Sequence, residues 1–255
     1  MAFAIALSGK GGVGKTTIAG LFVRYLIEKK KKTVLAVDAD ANSCLHEALG
    51  IEMYATIGQI REESLDVIRS TDARPAGMTT EQLLDYKVEQ SIAEGKGFDL
   101  ISMGRPEGPG CYCAANNIIR KYSDKLAENY PYMVIDNEAG MEHLSRRTTH
   151  KVNILLMVSD PTVRGINTIK KIDSLVDELK LEVERKGVII NRIAGSEGDE
   201  LKKLAEDMGI KVFGLVPNDE MVFRNDLSGK SVFDLPVDSV SVISLYSIFD
   251  SFQIP

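Results

Sequence analysis

The chain has 255 residues, 44% of them hydrophobic and 27% charged, an ordinary globular balance that can bury a sizeable core without staples. This excludes disordered, collagen-like and disulfide-scaffold readings, and a net charge of −6 argues against a general phosphate-coating role on nucleic acid. No apolar run approaches the roughly 20 residues that span a bilayer, and the opening Met-Ala-Phe-Ala-Ile-Ala-Leu-Ser-Gly-Lys lacks a basic leader, so it reads as a first strand and not a signal peptide. The expectation is a cytoplasmic chain with neither nucleic-acid nor membrane partners. Three cysteines cannot all pair within one chain, and two of them, Cys111 and Cys113, point to metal or redox chemistry.

In chain order, strands and helices alternate. Phe3–Leu7 is an apolar run ending in a glycine-rich turn. Ile18, Leu21, Phe22, Tyr25 and Leu26 then mark one stripe of a helix over Thr17–Glu28. Thr33–Val37 is a β-branched strand ending at Asp38, and Ser43–Leu49 is a helical turn stopped by Gly50. The polar stretch from about Tyr54 to Lys96 suggests short helices around a flexible Arg74-Pro75-Ala76-Gly77. Phe98–Met103 is a strand, 104–110 a Gly/Pro loop, Ala114–Asn129 a helix, and Tyr132–Ile135 a strand ending in Asp136.

In the second half, Lys151–Val158 is a near-continuous apolar strand, followed by a helix whose core stripe is Ile166, Ile169, Ile172, Val176 and Leu179. Gly187–Ile190 is a strand before Asn191. Asp199–Met208 is a helix stopped by Gly209, Lys211–Val216 a strand before Pro217, and Val237–Phe252 a closing helix. Unbroken apolar strands between amphipathic helices predict a single α/β domain over 1–255, a mostly parallel sheet with helices on both faces. Ligands of such folds bind at the carboxyl ends of strands.

Gly9-Lys10-Gly11-Gly12-Val13-Gly14-Lys15-Thr16-Thr17 fits G-x-x-x-x-G-K-T, after a predicted strand and before a predicted helix. Its backbone N–H groups suit phosphates, Lys15 the β/γ-phosphates, and the Thr16 hydroxyl Mg²⁺. The second lysine, Lys10, resembles the deviant Walker A group of MinD-type, ParA-type and nitrogenase-iron-protein-type ATPases. The resemblance implies a P-loop NTPase fold and a nucleotide-sandwiched homodimer in which Lys10 reaches the partner's nucleotide; a solvated loop lysine is the plainer reading.

Asp38 and Asp40 end the second strand, where carboxylates can approach Mg²⁺ or orient water. The resemblance makes Asp40 the water-orienting residue and Asp38 a partner near the metal, although either could cap the next helix. Asp136, in Val134-Ile135-Asp136-Asn137-Glu138-Ala139-Gly140, is a Walker-B-like Mg²⁺ holder. Gly140 would offer a backbone N–H near the γ-phosphate, and His143 reads as packing or hydrogen bonding. In the resembling family an asparagine placed like Asn191 reads the adenine edge beside a Pro217-Asn218-Asp219 turn, which favours ATP; taken alone, a strand-terminal asparagine is a weak signal, and a turn-forming role is the alternative.

Cys111-Tyr112-Cys113 offers two thiolates too close in sequence to bridge each other comfortably. A tetrahedral Zn²⁺ or planar Ni²⁺ site wants four sulfurs, which a two-fold dimer would supply. Two buried apolar cysteines are the alternative. With the deviant Walker A motif, Gly9–Thr17, Asp38–Cys44, Gly110–Cys113 and Asp136–Ser145 resemble CooC-type ATPases, which insert nickel into carbon monoxide dehydrogenase, and the related acetyl-CoA synthase maturation ATPase. That resemblance implies an ATP-hydrolysing nickel metallochaperone with ATP/ADP, Mg²⁺ and Ni²⁺ or Zn²⁺ as ligands and an apo nickel enzyme as client. The competing readings are a MinD/ParA-type positioning ATPase and an ATP-gated iron–sulfur electron carrier. Cys44 reads as core packing. Lys29–Lys32 reads as a solvated helix end, and the stretch after Lys230 has no Lys or Arg, which argues against a basic membrane anchor.

Overall fold

A computed structural model describes residues 2–60, 62–63, 79–104, 112–138 and 151–255, with backbone alone at 80–81, 112–117 and 119–120. Eight strands form one sheet: β1 (Phe3–Gly9), β2 (Val34–Ala39), β3 (Ala93–Gly95), β4 (Phe98–Ser102), β5 (Tyr132–Asn137), β6 (Lys151–Ser159), β7 (Glu182–Ile193) and β8 (Val212–Pro217). Their order is β3-β4-β2-β5-β1-β6-β7-β8, and every pair is parallel except β3–β4.

The apolar strands read as unbroken runs because both faces are buried. Alternate residues feed two separate layers. Ile5, Leu7, Val34, Ala36, Val134, Ile154 and Leu156 belong to one core, and Ala4, Ala6, Leu35, Val37, Ile135, Leu155 and Met157 to the other. The first layer is covered by α1 (Lys15–Tyr25), α2 (Leu45–Leu49) and the closing α8 (Val240–Ser251), through Ile18, Phe22, Leu45, Leu245 and Phe249. The second is covered by α4 (Tyr112–Ala127), α5 (Val163–Glu178) and α6 (Glu197–Asp207), through Tyr122, Ile166, Ile169, Leu201 and Ala205.

The structure adds to the expected elements and shifts several of them. Within 54–96 it forms α3 (Thr80–Gln90), started by a Thr79/Gln82 capping box, and also the antiparallel β3, too short to show a period. Beyond Pro217 it forms α7 (Glu220–Leu227), which buries no residue: its Met221, Phe223 and Leu227 are exposed. The closing helix begins at Val240 and not Val237, because Ser239 is its N-cap and accepts the Val242 N–H. Helix α1 runs into a π-helical turn at Leu26–Lys30, and Lys30 in the basic run donates to the Ile254 carbonyl at 2.5 Å. Expectations for Arg74–Gly77 and for 105–110 fall outside the described residues.

Parallel register puts the chemistry on one edge. Asp38 on β2 lies opposite Asp136 on β5, Leu7 on β1 opposite the same Asp136, and Gly9 opposite Val158 on β6. At Gly9 a Cβ would lie 2.3 Å from the Val158 carbonyl oxygen, so the glycine lets the chain leave β1 against its neighbour. We expect Gly9→Ala to destabilise the fold by about 2–3 kcal/mol through backbone overpacking. Urea unfolding checks this, and an unchanged midpoint would contradict the close approach.

Candidate functional site

The loop after β1 turns through Gly12 (φ 78°) and Gly14 (φ 94°), and Gly14 caps α1 in the left-handed region. Backbone N–H groups at that helix start are unpaired within the helix and favour an anion. Lys15 is buried, and its Nζ donates to the Lys10 carbonyl at 3.1 Å. Burial pulls the Lys15 ammonium below its usual pKa, against the opposing charges of Asp136, Asp40 and Glu138. Lys10 is exposed, with Gly11 and Gly12 beside it, while Val13 is buried beneath them.

Thr16 Oγ1 donates to Asp136 Oδ2 at 2.6 Å. The other oxygen of Asp136, Oδ1, is buried without a hydrogen-bond partner, and burial pushes the carboxyl up to about 6 despite Thr16 and Lys15. An orphaned carboxylate oxygen next to a hydroxyl whose lone pairs remain free is a donor set that fits a hard divalent cation. Asp38 is fully buried and its two oxygens are both engaged, Oδ1 with the Asp40 N–H at 3.0 Å and Oδ2 with the Leu45 N–H at 2.9 Å. Burial, reinforced by the charges of Asp136 and Asp40, raises it to about 7. Asp38 therefore shapes the loop that carries Asp40. Asp40 itself is partly exposed, and its Oδ1 accepts the Asn42 N–H at 2.8 Å.

A cavity of about 490 Å³ opens beside the loop, lined among others by Gly14, Asn191, Pro217, Phe223 and Leu235. Asn191 is buried and its Nδ2 donates to the Val13 carbonyl at 2.9 Å, which leaves its Oδ1 and a second N–H for an occupant. The cavity wall is fixed by Asp219. It caps α7 through the Met221 N–H and accepts from Ser239 Oγ and the Ser241 N–H, bonds that hold its carboxyl low although burial alone would raise it. Nothing in the periodicity pointed to the α7 wall or to Arg192, which donates to the Gly12 carbonyl at 2.8 Å.

The structure thus brings Gly9 through Thr17, Asp38, Asp40, Asp136, Asn191 and Pro217 to one end of the sheet. Cys111 lies outside the described residues, as do Gly140 and His143, and of Cys113 only the backbone near the start of α4 is described. Cys44 is not core packing: it is exposed and lines a groove with Thr16, His46 and Glu47, because the short α2 turns Leu45 and Leu49 inward instead. Among the described residues no three His, Cys, Asp or Glu side chains are grouped to hold a metal ion, and no helix is long and apolar enough to cross a membrane.

Residues 4–232 match the family model described as the CobQ/CobB/MinD/ParA nucleotide binding domain. An uncharacterized ATP-binding protein of Methanocaldococcus jannaschii is 42% identical, with 91% of each chain covered. The carbon monoxide dehydrogenase accessory protein CooC of Rhodospirillum rubrum is 30% identical, covering 91% of this chain and 89% of that one. Among solved structures, a ParA family ATPase from Chlorobium tepidum TLS superposes with a TM-score of 0.72 at 21% identity, covering 96% and 97% of the two chains. The septum site-determining protein MinD of Pyrococcus horikoshii OT3, complexed with Mg-ADP, gives 0.71 at 19%, covering 99% and 96%. At those identities the two structures establish the fold.

The raised Asp136 carboxyl has a pH signature. The folded chain keeps that proton up to about pH 6, whereas the unfolded chain releases it near its ordinary value of 3.8, so this group's contribution to stability falls as pH rises between them. Without Mg²⁺, Asp136→Asn should gain on the wild type by on the order of 2 kcal/mol between pH 4 and pH 7.5. Urea unfolding at the two pH values measures it; a stability difference that stays constant would refute the assignment.

Proposed function

Because the chain belongs to the CobQ/CobB/MinD/ParA nucleotide-binding family, we propose that it is an ATPase whose cycle delivers nickel to an apo-metalloenzyme such as carbon monoxide dehydrogenase or acetyl-CoA synthase. The observation that carries this reading is the Cys111-Tyr112-Cys113 pair in a chain 30% identical, over nine-tenths of its length, to a carbon monoxide dehydrogenase accessory protein. Two copies of the pair, one from each protomer of a homodimer, supply the four thiolates that Ni²⁺ or Zn²⁺ takes.

The nucleotide chemistry follows from side chains already placed. The loop N–H groups and Lys15 bind the phosphates, and the Asn191 acceptor reads the amino group of adenine. Thr16 and Asp136 would hold Mg²⁺, which when bound would supply neutralising charge to the transferred phosphoryl group. Asp38 stays within its protein hydrogen bonds and fixes Asp40, whose remaining carboxylate oxygen orients the attacking water. Exposed Lys10 reaches the nucleotide of the partner protomer. Helix α4, which carries Cys113 near its start, packs on β2, the strand that leads to the Asp40 loop.

Two measurements test the reading. In anaerobic nickel titration with the solution mass followed, the wild type should bind one ion per dimer. A Cys111→Ala/Cys113→Ala variant should lose that ion while its ADP affinity stays within about twofold. Undiminished nickel stoichiometry in the double variant would reject the site. Lys15→Ala and Asp40→Ala should each lower ATP turnover by about a hundredfold or more, and wild-type turnover in Asp40→Ala would remove it from the mechanism.

A further inference from the structure

The β7–β8 register is irregular between Ile190 and Ile193, so Asn191 and Arg192 occupy a bulge at the end of β7. Bulges beside functional sites re-aim side chains. Arg192 has φ 62°, a left-handed conformation disfavoured for any residue with a Cβ, and its side chain is exposed, so core packing does not account for the strain. The bulge sends both side chains to consecutive carbonyls of the phosphate loop: Arg192 Nη1 to Gly12 O at 2.8 Å and Asn191 Nδ2 to Val13 O at 2.9 Å.

A trans peptide points its C=O and N–H in opposite directions. Anchoring the Gly12 carbonyl therefore fixes the Val13 N–H, and anchoring the Val13 carbonyl fixes the Gly14 N–H. Those donors are the ones a concave anion site must turn inward. The fit at Gly14 is close, since a Cβ there would lie 2.6 Å from Asn191 Nδ2. We infer that Arg192 is a positioning residue for phosphate binding: by tying back the Gly12 carbonyl it pre-orients the loop N–H groups before nucleotide arrives. Pre-orientation lowers the ordering cost of binding. Because Arg192 and Asn191 also line the adjoining cavity, base occupancy and phosphate grip share one bulge. The inference rests on the nucleotide-binding reading and not on the metal cargo.

Arg192→Gly removes the guanidinium and accepts φ 62° without strain, so the bulge is retained. Arg192→Lys restores a cationic donor. Mg–pyrophosphate and Mg–ADP are titrated calorimetrically into all three proteins. The glycine variant should weaken both ligands by the same factor, about tenfold for the loss of one charged hydrogen bond. The lysine variant should weaken both in parallel and by less, which also serves if glycine loosens the fold. Weakened ADP with unchanged pyrophosphate would make Arg192 a base contact and overturn the inference, as would unchanged affinity for both. Wild-type protein that bound neither would defeat the nucleotide-binding reading itself, and the inference with it.

Discussion

Lys15 sits buried at the carboxyl edge of the sheet, its ammonium tied to the Lys10 carbonyl and surrounded by the charges of Asp136, Asp40 and Glu138. A cation in that position loses much of its hydration, and burial shifts it toward the neutral form. The opposing carboxylates offset this; among them Asp136 is itself pushed up by burial to about 6, as is the neighbouring Asp38, to about 7. These charges are mutually dependent, and a phosphate group beside Lys15 and a divalent cation beside Asp136 would relieve them together. Much of the surrounding structure serves to keep those groups in place.

Each support comes from a different part of the chain. The β2–β5 register brings Asp38 opposite Asp136. Asp38 spends both oxygens on backbone N–H groups and so defines the Asp40 loop and the start of α2. On the other side, Asp219 binds the beginnings of α7 and α8 together. Arg24, nearly fully buried in α1, donates to the carbonyls of Val232 and Leu235, two residues that line the cavity. The helix that starts at the phosphate loop thus also anchors the far wall of the cavity beside it.

The fold was largely legible because its signals are local. An unbroken apolar strand, a G-x-x-x-x-G-K-T turn and a 3.6-residue stripe each depend on neighbours in sequence, so the other core strands, α1 and α6 lie within a few residues of their predicted spans and the stripe Ile166–Leu179 is α5, while β7 extends the predicted Gly187–Ile190 to Glu182–Ile193. Short or exposed pieces had no such signal: β3 has three residues and α7 buries none. Cys44 was misplaced for a related reason. Its residue type favours burial, but the short α2 faces Leu45 and Leu49 to the core and turns the thiol outward.

The sequence by itself determined the residue types of the site: a lysine and threonine after glycines, aspartates at strand ends, an asparagine after a strand, and a close cysteine pair. Tertiary structure alone decided how those groups divide the work. Whether an aspartate meets a cation or a backbone N–H depends on strand register and burial, which left Asp136 with an orphaned oxygen and Asp38 with none. The grip of Asn191 and Arg192 on the loop spans about 180 residues of chain. It exists only because β7 bulges beside β8 and aims both side chains at the phosphate loop, a contact no local pattern encodes.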